Sequence, residues 1–593
     1  MRISRRQILE LAAAAPLVRF STPTVEAAFD AQRLPFSRAG SYWAVSKVWW
    51  PFGASSQIPL DSWYIRLLAD DANPNEIFRF ELLRDGNLQS FTPTLTPSTL
   101  RFGSVAFAIA ANDLLQVRGN GCMLRLHGIL SSYSYAVPHG PNACEFCSVN
   151  IPRVLVKAQR GTLKLDAKWA DEKLKASCSE VTIDIAPDSE GRFDCTFEYY
   201  DGTPPYSAHP APFEDAVEHT REDFNRFCNA IQPLAAHWEP ARPLAAWVLW
   251  SSTVAARGLY RNPVIWCSKN WMNRIWSWDH CFVTVGLAPY LPEVAWQQLI
   301  LFRDMQDPRS GVLADSMSNI QRSWLCTKPP IHGWALSHLM RATELSRGQL
   351  VEIYEPLVKW TNYWLRDRDL AGDGLPCLLN PNESFDNTTG NTLFGPVQAP
   401  ETASYLVLQL EALSTVASKL GHAQDAADWS QRAHTLTHAL VQKLWDPQAG
   451  KFVARRVPDG KTGSGDCIFS YVPIVLGKRL PASIAETLTR ALSQPGRFLT
   501  SYGLASEALT SPRYDPDSYV KGPVWAPPNV FIAEGLDAIG QTALASRIRH
   551  AFLSNCLRQG MSEHFDAKTG TPAGDSLYNW TAAMFLHMAR HEA

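Results

Sequence analysis

The sequence predicts an N-terminal β-sandwich followed by an (α/α)6 toroid of six helical hairpins, and three observations carry that expectation. Apolar residues alternate with a period of two up to about Tyr200, then recur every three to four positions beyond about Pro243, and the helical segments arrive in close pairs. At 593 residues, with 46% hydrophobic and 19% charged side chains, the chain has an ordinary globular composition. It also exceeds the length at which one core stops growing, about 250–300 residues.

Taken in order, the first segment reads as an address. Ser4-Arg5-Arg6-Gln7-Ile8-Leu9 is a twin-arginine pattern, followed by a short apolar run from Leu11 to Val18 and a small-residue cleavage site at Val25-Glu26-Ala27. Residues 1–27 are therefore expected to be an export signal, delivering the protein to the periplasm or the extracellular space. The apolar run is far shorter than the roughly 20 residues needed to span a bilayer and no later segment reaches that length, so no membrane anchor is expected. Residues 36–200 are expected to form the sandwich. Leu163 to Trp169, Val181 to Ile185 and Phe193 to Phe197 alternate cleanly between turn-rich stretches. Residues 201–240 read as a linker, proline-rich from Thr203 to Pro212, with one amphipathic helix over Phe213 to Ile231. Residues 241–593 are expected to hold helices near 243–257, 279–290, 292–305, 331–347, 350–367, 402–419, 422–445, 468–478, 482–494, 525–538, 542–558 and 578–591.

Net charge is −2, which leaves no concentrated basic surface for nucleic acid. The twelve cysteines scatter along the chain. Cys144 and Cys147 form an isolated CxxC without a second pair at zinc-site spacing, and Cys267, Cys281, Cys377 and Cys467 sit among apolar neighbours as expected buried thiols. The 21 tryptophans include a loop-borne group, Trp266 to Trp271 and Arg274 to Asp279, where flat faces are free to stack on sugar rings. Two acidic loops also fall outside predicted helices, Leu378 to Thr389 and Gly560 to Gly570. Cleaving a glycosidic bond with inversion needs one carboxyl group to protonate the leaving oxygen and another to activate water from the opposite face. These two loops supply candidates.

Five motifs then appear in order: Ser268-Lys269-Asn270-Trp271-Met272, Trp276-Ser277-Trp278-Asp279-His280-Cys281-Phe282, Lys328 to Ala335, Gly522-Pro523-Val524-Trp525-Ala526-Pro527 and Asn579-Trp580-Thr581-Ala582-Ala583. Over about 350 residues the helical region resembles bacterial trehalase-like and glucosidase-like glycoside hydrolases, near glycoside hydrolase family 63 and the mannosylglycerate-hydrolase-like proteins. The resemblance implies a sandwich before an (α/α)6 barrel and an inverting, exo-acting α-glycosidase with a carbohydrate substrate. It implies Asp386 as general acid and Glu563 as general base. The loop before Asp386 lacks the family's glycine, which leaves Glu383 as a second candidate for the acid. Asp279 resembles the carboxylate that holds sugar hydroxyls in the innermost subsite, and Trp278, Trp334 and Trp525 resemble subsite walls. Trp276, Lys328, His332 and Trp580 fall within the same motifs as substrate-binding candidates. Lys521 replaces the family's arginine, and Val520 its tryptophan; a lysine cannot repeat a bidentate guanidinium contact.

These roles carry electrostatic requirements. Asp386 must hold a proton near neutral pH, Glu563 must be ionised with room for water, and the two carboxyl groups should stand about 6.5–9.5 Å apart. No cofactor is implied. Asp367, Asp369 and Asp373 lean toward a calcium loop but miss the twelve-residue spacing and its closing glutamate, so a solvated turn is expected there. The alternatives are a polysaccharide lyase or phosphorylase on the same toroid, or a carbohydrate-binding relative that has lost its acid.

Overall fold

The computed structural model describes residues 28–592 except 48–60, 72–74, 150, 173–174, 204–209, 392, 394 and 464. The expected export signal, residues 1–27, lies outside the described residues. The chain enters the sandwich early, through bridges Phe29–Leu95 and Phe36–Val45. Between Trp43 and Tyr200 lie two antiparallel sheets, of seven and eight strands. Period-two alternation puts one side of each strand inside, as with Phe193, Cys195 and Phe197. The two sheets meet on aromatic rings, for example Phe78 and Phe146 at 4.8 Å and Phe80 and Phe107 at 5.1 Å.

Helix α1 (Phe213–Ala230) turns Phe213, Ala216, Phe224 and Cys228 inward and packs on the strand Val105–Ala111. The toroid follows in strict outer–inner alternation. Its outer helices are α2 (Arg242–Ser251), α4 (Pro292–Leu299), α6 (Arg347–Asn362), α8 (Ala423–Leu444), α9 (Ala482–Ser493) and α11 (Thr542–Gln559). The inner layer is α3 (Asp279–Leu287), α5 (His332–Ala342), α7 (Pro400–Leu420), a 3₁₀ segment Val472–Arg479, α10 (Ala526–Ala538) and α12 (Asn579–Arg590). Each inner element touches the next in that order, and α12 closes the ring on α3. Inner helices are apolar nearly all round because both faces are covered: every residue of α3 is buried.

Three local departures from the sequence reading have physical causes. The helix expected over 243–257 stops at Ser251, because Thr253–Val254 pair as a short ladder with Val264–Ile265. The helix expected over 468–478 is 3₁₀, broken at Gly477 with φ 58° and ψ −126°. Residues 363–367, read as the end of α6, form a π turn, which delivers Arg368 to the acidic loop.

The sandwich grips the barrel at several segments, among them the loop at residues 268–274. Arg66, on the strand Trp63–Leu67, is buried beside Glu76 at 3.4 Å and donates to the carbonyls of Lys269 (3.3 Å) and Asn270. Lys269 is wholly buried and held by uncharged acceptors; its ammonium donates to Ser37 Oγ (3.1 Å) and to the carbonyls of Arg38 (3.0 Å), Ser41 (2.6 Å) and Thr253 (2.9 Å). Around it, Arg257 pairs with Asp70 at 2.7 Å and Arg274 with Asp71 at 3.1 Å. Breaking a buried ion pair leaves its partner uncompensated, at about 3–5 kcal/mol. Arg66→Met is accordingly expected to lower unfolding stability by that amount in urea titrations followed by tryptophan fluorescence; a change near zero would remove the loop clamp from the account.

Candidate active site

The uniform chain direction of the hairpins brings the N-termini of the inner helices to one end of the toroid, where a narrow cavity of about 90 Å³ is lined by Trp276, Trp278, Asp279, Lys328, Asp386 and Tyr519, with Trp525, Tyr578 and Trp580 beside them. Seven of the residues singled out from sequence therefore meet here: Trp276, Trp278, Asp279, Lys328, Asp386, Trp525 and Trp580. The aromatic rings interlock edge to face, Trp278 against Phe385 at 4.8 Å and Trp580 against Trp525 at 5.6 Å, which fixes the walls.

Asp386 stands on a loop pinned by two buried carboxylates. Glu383 takes both guanidinium arms of Arg368 at 2.7 Å and the amide of Leu379 at 2.6 Å. Glu401, in the first turn of α7, accepts from Ser384 Oγ at 3.1 Å and Asn391 Nδ2 at 2.9 Å. Glu383 is thereby corrected as a candidate acid: its carboxylate is committed to Arg368 and lies outside the cavity lining. Between the pins, Phe385 stacks on Phe469 at 4.3 Å, and Asn387 adopts φ 57°, a conformation asparagine tolerates. Asn387 accepts from the Val520 amide at 3.1 Å and donates to Ser518 Oγ at 3.2 Å, coupling the acidic loop to the Tyr519 loop. Asp386 keeps 42% of its side chain exposed, and its Oδ1 lies 3.6 Å from Lys328 Nζ. Burial raises its pKa and Lys328 opposes the shift. Lys328 also donates to the Asn382 carbonyl at 2.7 Å and lies 3.7 Å from Asp315.

Glu563 arrives from the opposite side of the ring. It is wholly buried and not itself part of the cavity lining; it sits behind Tyr519, with Oε1 accepting from the Tyr519 hydroxyl and Oε2 from the Asp575 amide at 2.9 Å. Burial pushes its carboxyl up to about 8, repulsion from Asp575 and Asp279 adds to this, and the two donors oppose it. The ionised base expected from sequence is thus corrected: Glu563 is mostly protonated at neutral pH, because burial outweighs its two uncharged donors. Tyr519 lines the cavity and donates to Glu563; burial raises its pKa well above the usual phenol value, and the charges of Glu563, Asp386 and Asp279 add to the shift. Asp279, at the start of α3, accepts from Tyr578 (3.1 Å) and Cys267 (3.2 Å), and burial raises it to about 7. Asp575 accepts from Ser268 Oγ (2.5 Å) and from the amides of Trp271 (3.2 Å) and Met272 (3.3 Å).

Three substrate-binding candidates fall elsewhere. His332 is buried under the cavity, its Nδ1 accepting from Trp360 Nε1 at 3.1 Å. Trp334, two residues along α5, points to the other end of the barrel, where its indole donates to Glu534 at 2.8 Å. Lys521 serves through its backbone, closing a turn with Ser518 and Asp515, and is not part of the lining. A helix start orients successive residues about 100° apart, so adjacency in a motif does not place neighbours on one surface. Tyr519, Asp575 and Tyr578 were missed. Tyr519 had a signal, two residues before Lys521 in the Gly-Pro motif; Asp575 sits in an unremarkable polar turn. Among the suspected calcium ligands, Asp373 is held by Arg455 at 2.7 Å and Lys443 at 3.2 Å, Asp367 by Arg366, and Asp369 by the amides of Asp373 and Gly374, so protein donors occupy them. All twelve cysteines are free thiols.

A closed six-hairpin barrel with aromatic walls and convergent carboxyl groups at its mouth defines a carbohydrate-active enzyme of the (α/α)6 class, a glycoside hydrolase. The sequence profile of the mannosylglycerate hydrolase MGH1-like glycoside hydrolase domain matches residues 272–581, more than half the chain, and the protein belongs to that family. It is 25% identical over 404 residues to a mannosylglycerate hydrolase of Rubrobacter radiotolerans, covering 52% of this chain and 89% of that protein. Among solved structures, a family 63 mannosylglycerate hydrolase from Thermus thermophilus, in complex with glucose, aligns at TM-score 0.51 and 22% identity, over 59% of this chain and 99% of its own. A bacterial glucoamylase complexed with acarbose aligns at TM-score 0.56 and 11% identity, over 96% of this chain and 95% of its own. The second likeness takes in the sandwich as well as the barrel.

Gly574 generates a direct test of how Glu563 is held. Its φ is +69°, and an added Cβ would lie 2.3 Å from Glu563 Oε2 and 2.8 Å from the His564 ring. Gly574→Ala is expected to cost about 1–3 kcal/mol of stability and to depress turnover far beyond that loss of folded protein. Equal activity per folded molecule, from paired melting and rate measurements, would contradict this.

Proposed function

We propose that this glycoside hydrolase releases a single α-linked sugar from a small acidic aglycone of the glycerate kind, with inversion at the anomeric carbon. Asp386 is the general acid and Glu563 the general base. The observation that carries the reading is one aromatic pocket lined by Asp386, Asp279 and Tyr519, with the Tyr519 hydroxyl donating to Glu563 behind it. A cavity this narrow suits the end of a substrate and offers no groove for a threaded chain. The relatives named for mannosylglycerate hydrolysis support the aglycone.

In this mechanism the sugar lies against Trp278 and Trp580, with Asp279 receiving its hydroxyls. Asp386, whose pKa burial raises, gives its proton to the glycosidic oxygen. Water enters between the sugar and Glu563, which removes a proton as the bond to the anomeric carbon forms; inversion requires the carboxyl groups to be about 6.5–9.5 Å apart. A raised pKa makes Glu563 a stronger proton acceptor at the expense of its ionised fraction. The chemistry calls on no metal or organic cofactor. We also place the activity outside the cytoplasm, on the twin-arginine leader alone; no described helix is long and apolar enough to cross a membrane.

Purified protein should hydrolyse α-mannosyl- or α-glucosylglycerate in preference to α-linked disaccharides, and proton NMR should show the β-anomer first. An α-anomer as first product, or an unsaturated product absorbing in the ultraviolet, would reject the mechanism. Asp386→Asn and Glu563→Gln should each reduce kcat by about 10²–10⁴-fold while calorimetry still detects ligand binding.

The pH profile has a defined sign. Below its raised pKa Glu563 carries a proton and cannot act as base, so kcat/KM should fall as pH drops below about 8. Tyr519→Phe removes a donor that stabilises the ionised form, and should move this acidic limb to higher pH. An unmoved limb would detach Tyr519 and Glu563 from the rate.

A further inference from the structure

The end of the barrel opposite the Asp386 cavity opens into a second, larger cavity of about 740 Å³, lined by the C-terminal halves of inner helices. At its wall, three side chains from α5, α10 and α12 meet across the barrel axis. His338 Nε2 lies 3.0 Å and His587 Nε2 2.8 Å from the same oxygen, Glu534 Oε1. The other oxygen, Oε2, is occupied by the Trp334 indole at 2.8 Å. One carboxylate oxygen thus faces two imidazole nitrogens while a separate donor fixes the carboxylate plane, the arrangement that orients a metal-binding carboxylate from behind. His338 Nε2 is buried, yet it makes no aligned hydrogen bond despite its closeness to Glu534. Buried orphan nitrogens call for an explanation such as an ion.

From this geometry we propose that His338, Glu534 and His587 bind a divalent transition-metal ion of the zinc type, with the remaining positions filled by water or a ligand from the cavity. Tetrahedral metal–ligand bonds of about 2.0–2.1 Å set donor atoms about 3.3 Å apart; the two imidazole nitrogens lie 3.0 and 2.8 Å from Glu534 Oε1, and all three ligand atoms lie within 4.8 Å of one another. Two imidazoles and one carboxylate form a borderline-hard set that suits zinc, cobalt or nickel over calcium or magnesium. Helix carbonyl ends surround the cavity and carry partial negative charge, which favours a cation. The nearby arginines do not reverse this. Arg479 is paired with Glu411, and Arg549 with Asp537 at 2.5 Å. Arg341 and Arg590 lie in the last turns of α5 and α12, where cations offset the same carbonyls. The group stands apart from the hydrolytic pocket, so the metal has no part in the proposed glycosidic chemistry.

A second cluster, His280, Cys281 and His332, is wholly buried, and it provides an internal contrast because it contains sulfur. The full-length protein, freed of metal by chelator and dialysis, should take up one equivalent of cobalt(II) with visible ligand-field absorption, displaced by zinc. Zinc-edge X-ray absorption should show only nitrogen and oxygen scatterers at about 2.0–2.2 Å. His338→Gln and His587→Gln should each weaken binding by at least about tenfold while leaving hydrolysis unchanged. If the metal-free protein binds no equivalent, if both variants retain wild-type affinity, or if a sulfur scatterer appears, the assignment is overturned. The scattering measurement needs no variant, so a misfolded substitution leaves the proposal open to refutation.

Discussion

Asp575 ties the chemistry to the scaffold. Its carboxylate is fully buried and is held by uncharged donors; it takes the Ser268 hydroxyl and the Trp271 and Met272 amides, while its own amide holds Glu563 Oε2. A buried carboxylate loses several kcal/mol of hydration, and this set of fixed donors replaces it. The 268–272 loop therefore cannot move without stranding that charge. Arg66, which senses Asp575 electrostatically, and Lys269 fasten the same loop to the sandwich. An unbroken path of protein hydrogen bonds then runs from a sandwich strand to the Glu563 carboxyl group. In that sense the sandwich is a buttress for the pocket, and the barrel loop between Cys267 and Asp279 is its bearing surface.

The pocket concentrates acids around a single ammonium. Asp386 and Asp315 lie 3.6 and 3.7 Å from Lys328, and Asp279 is within its field. One positive charge cannot compensate three carboxylates in a desolvated site, so the groups compete for it and burial lifts each of them. Lys328 is immobilised by the Asn382 carbonyl, on the acidic loop itself. Any shift of that loop changes the charge balance felt by Asp386 and Asp315 together. Glu563 is set apart from this contest behind Tyr519, with uncharged donors only. Two environments of different polarity are what an acid and a base of the same chemical type require.

Much of this was legible in the sequence. The change of period at Pro243 identified the architecture, and the pairing of apolar helices such as Leu406, Leu410 and Leu413 identified the hairpins, because packing on two sides leaves a strong pattern. Asp386 and Glu563 stood out because two acidic loops occur together with aromatic loops and because the family resemblance assigns them the acid and base positions; either acid alone would read as solvent-exposed or a helix cap. What the sequence concealed depends on direction. His332 and Trp334 sit two residues apart on α5, yet one is sealed beneath the pocket and the other faces the opposite cavity. Glu383 looked equivalent to Asp386 until Arg368, delivered by a π turn, was seen to neutralise it. Asp575 carried no local signal, since its partners are backbone amides three hundred positions away.

The same directionality explains why the barrel has two chemically different mouths. All the inner helices run the same way, so their amide ends face one mouth and their carbonyl ends the other. Asp279 and Glu401 occupy first turns at the amide end, where partial positive charge stabilises acids that otherwise lack counter-ions. Arg341, His587 and Arg590 occupy last turns at the carbonyl end. Between them the axis is stopped by Phe282, Trp334 and Phe531, which lie 4.8–5.8 Å apart centre to centre. This apolar plug separates the two mouths with packed aromatic rings. Trp334 is the exception that joins them, with its ring in the plug and its N–H on Glu534. A toroid closed by six parallel inner elements is thus polar along its axis by construction. Placing the hydrolytic acids at its amide end follows from that polarity as much as from the loops that carry them.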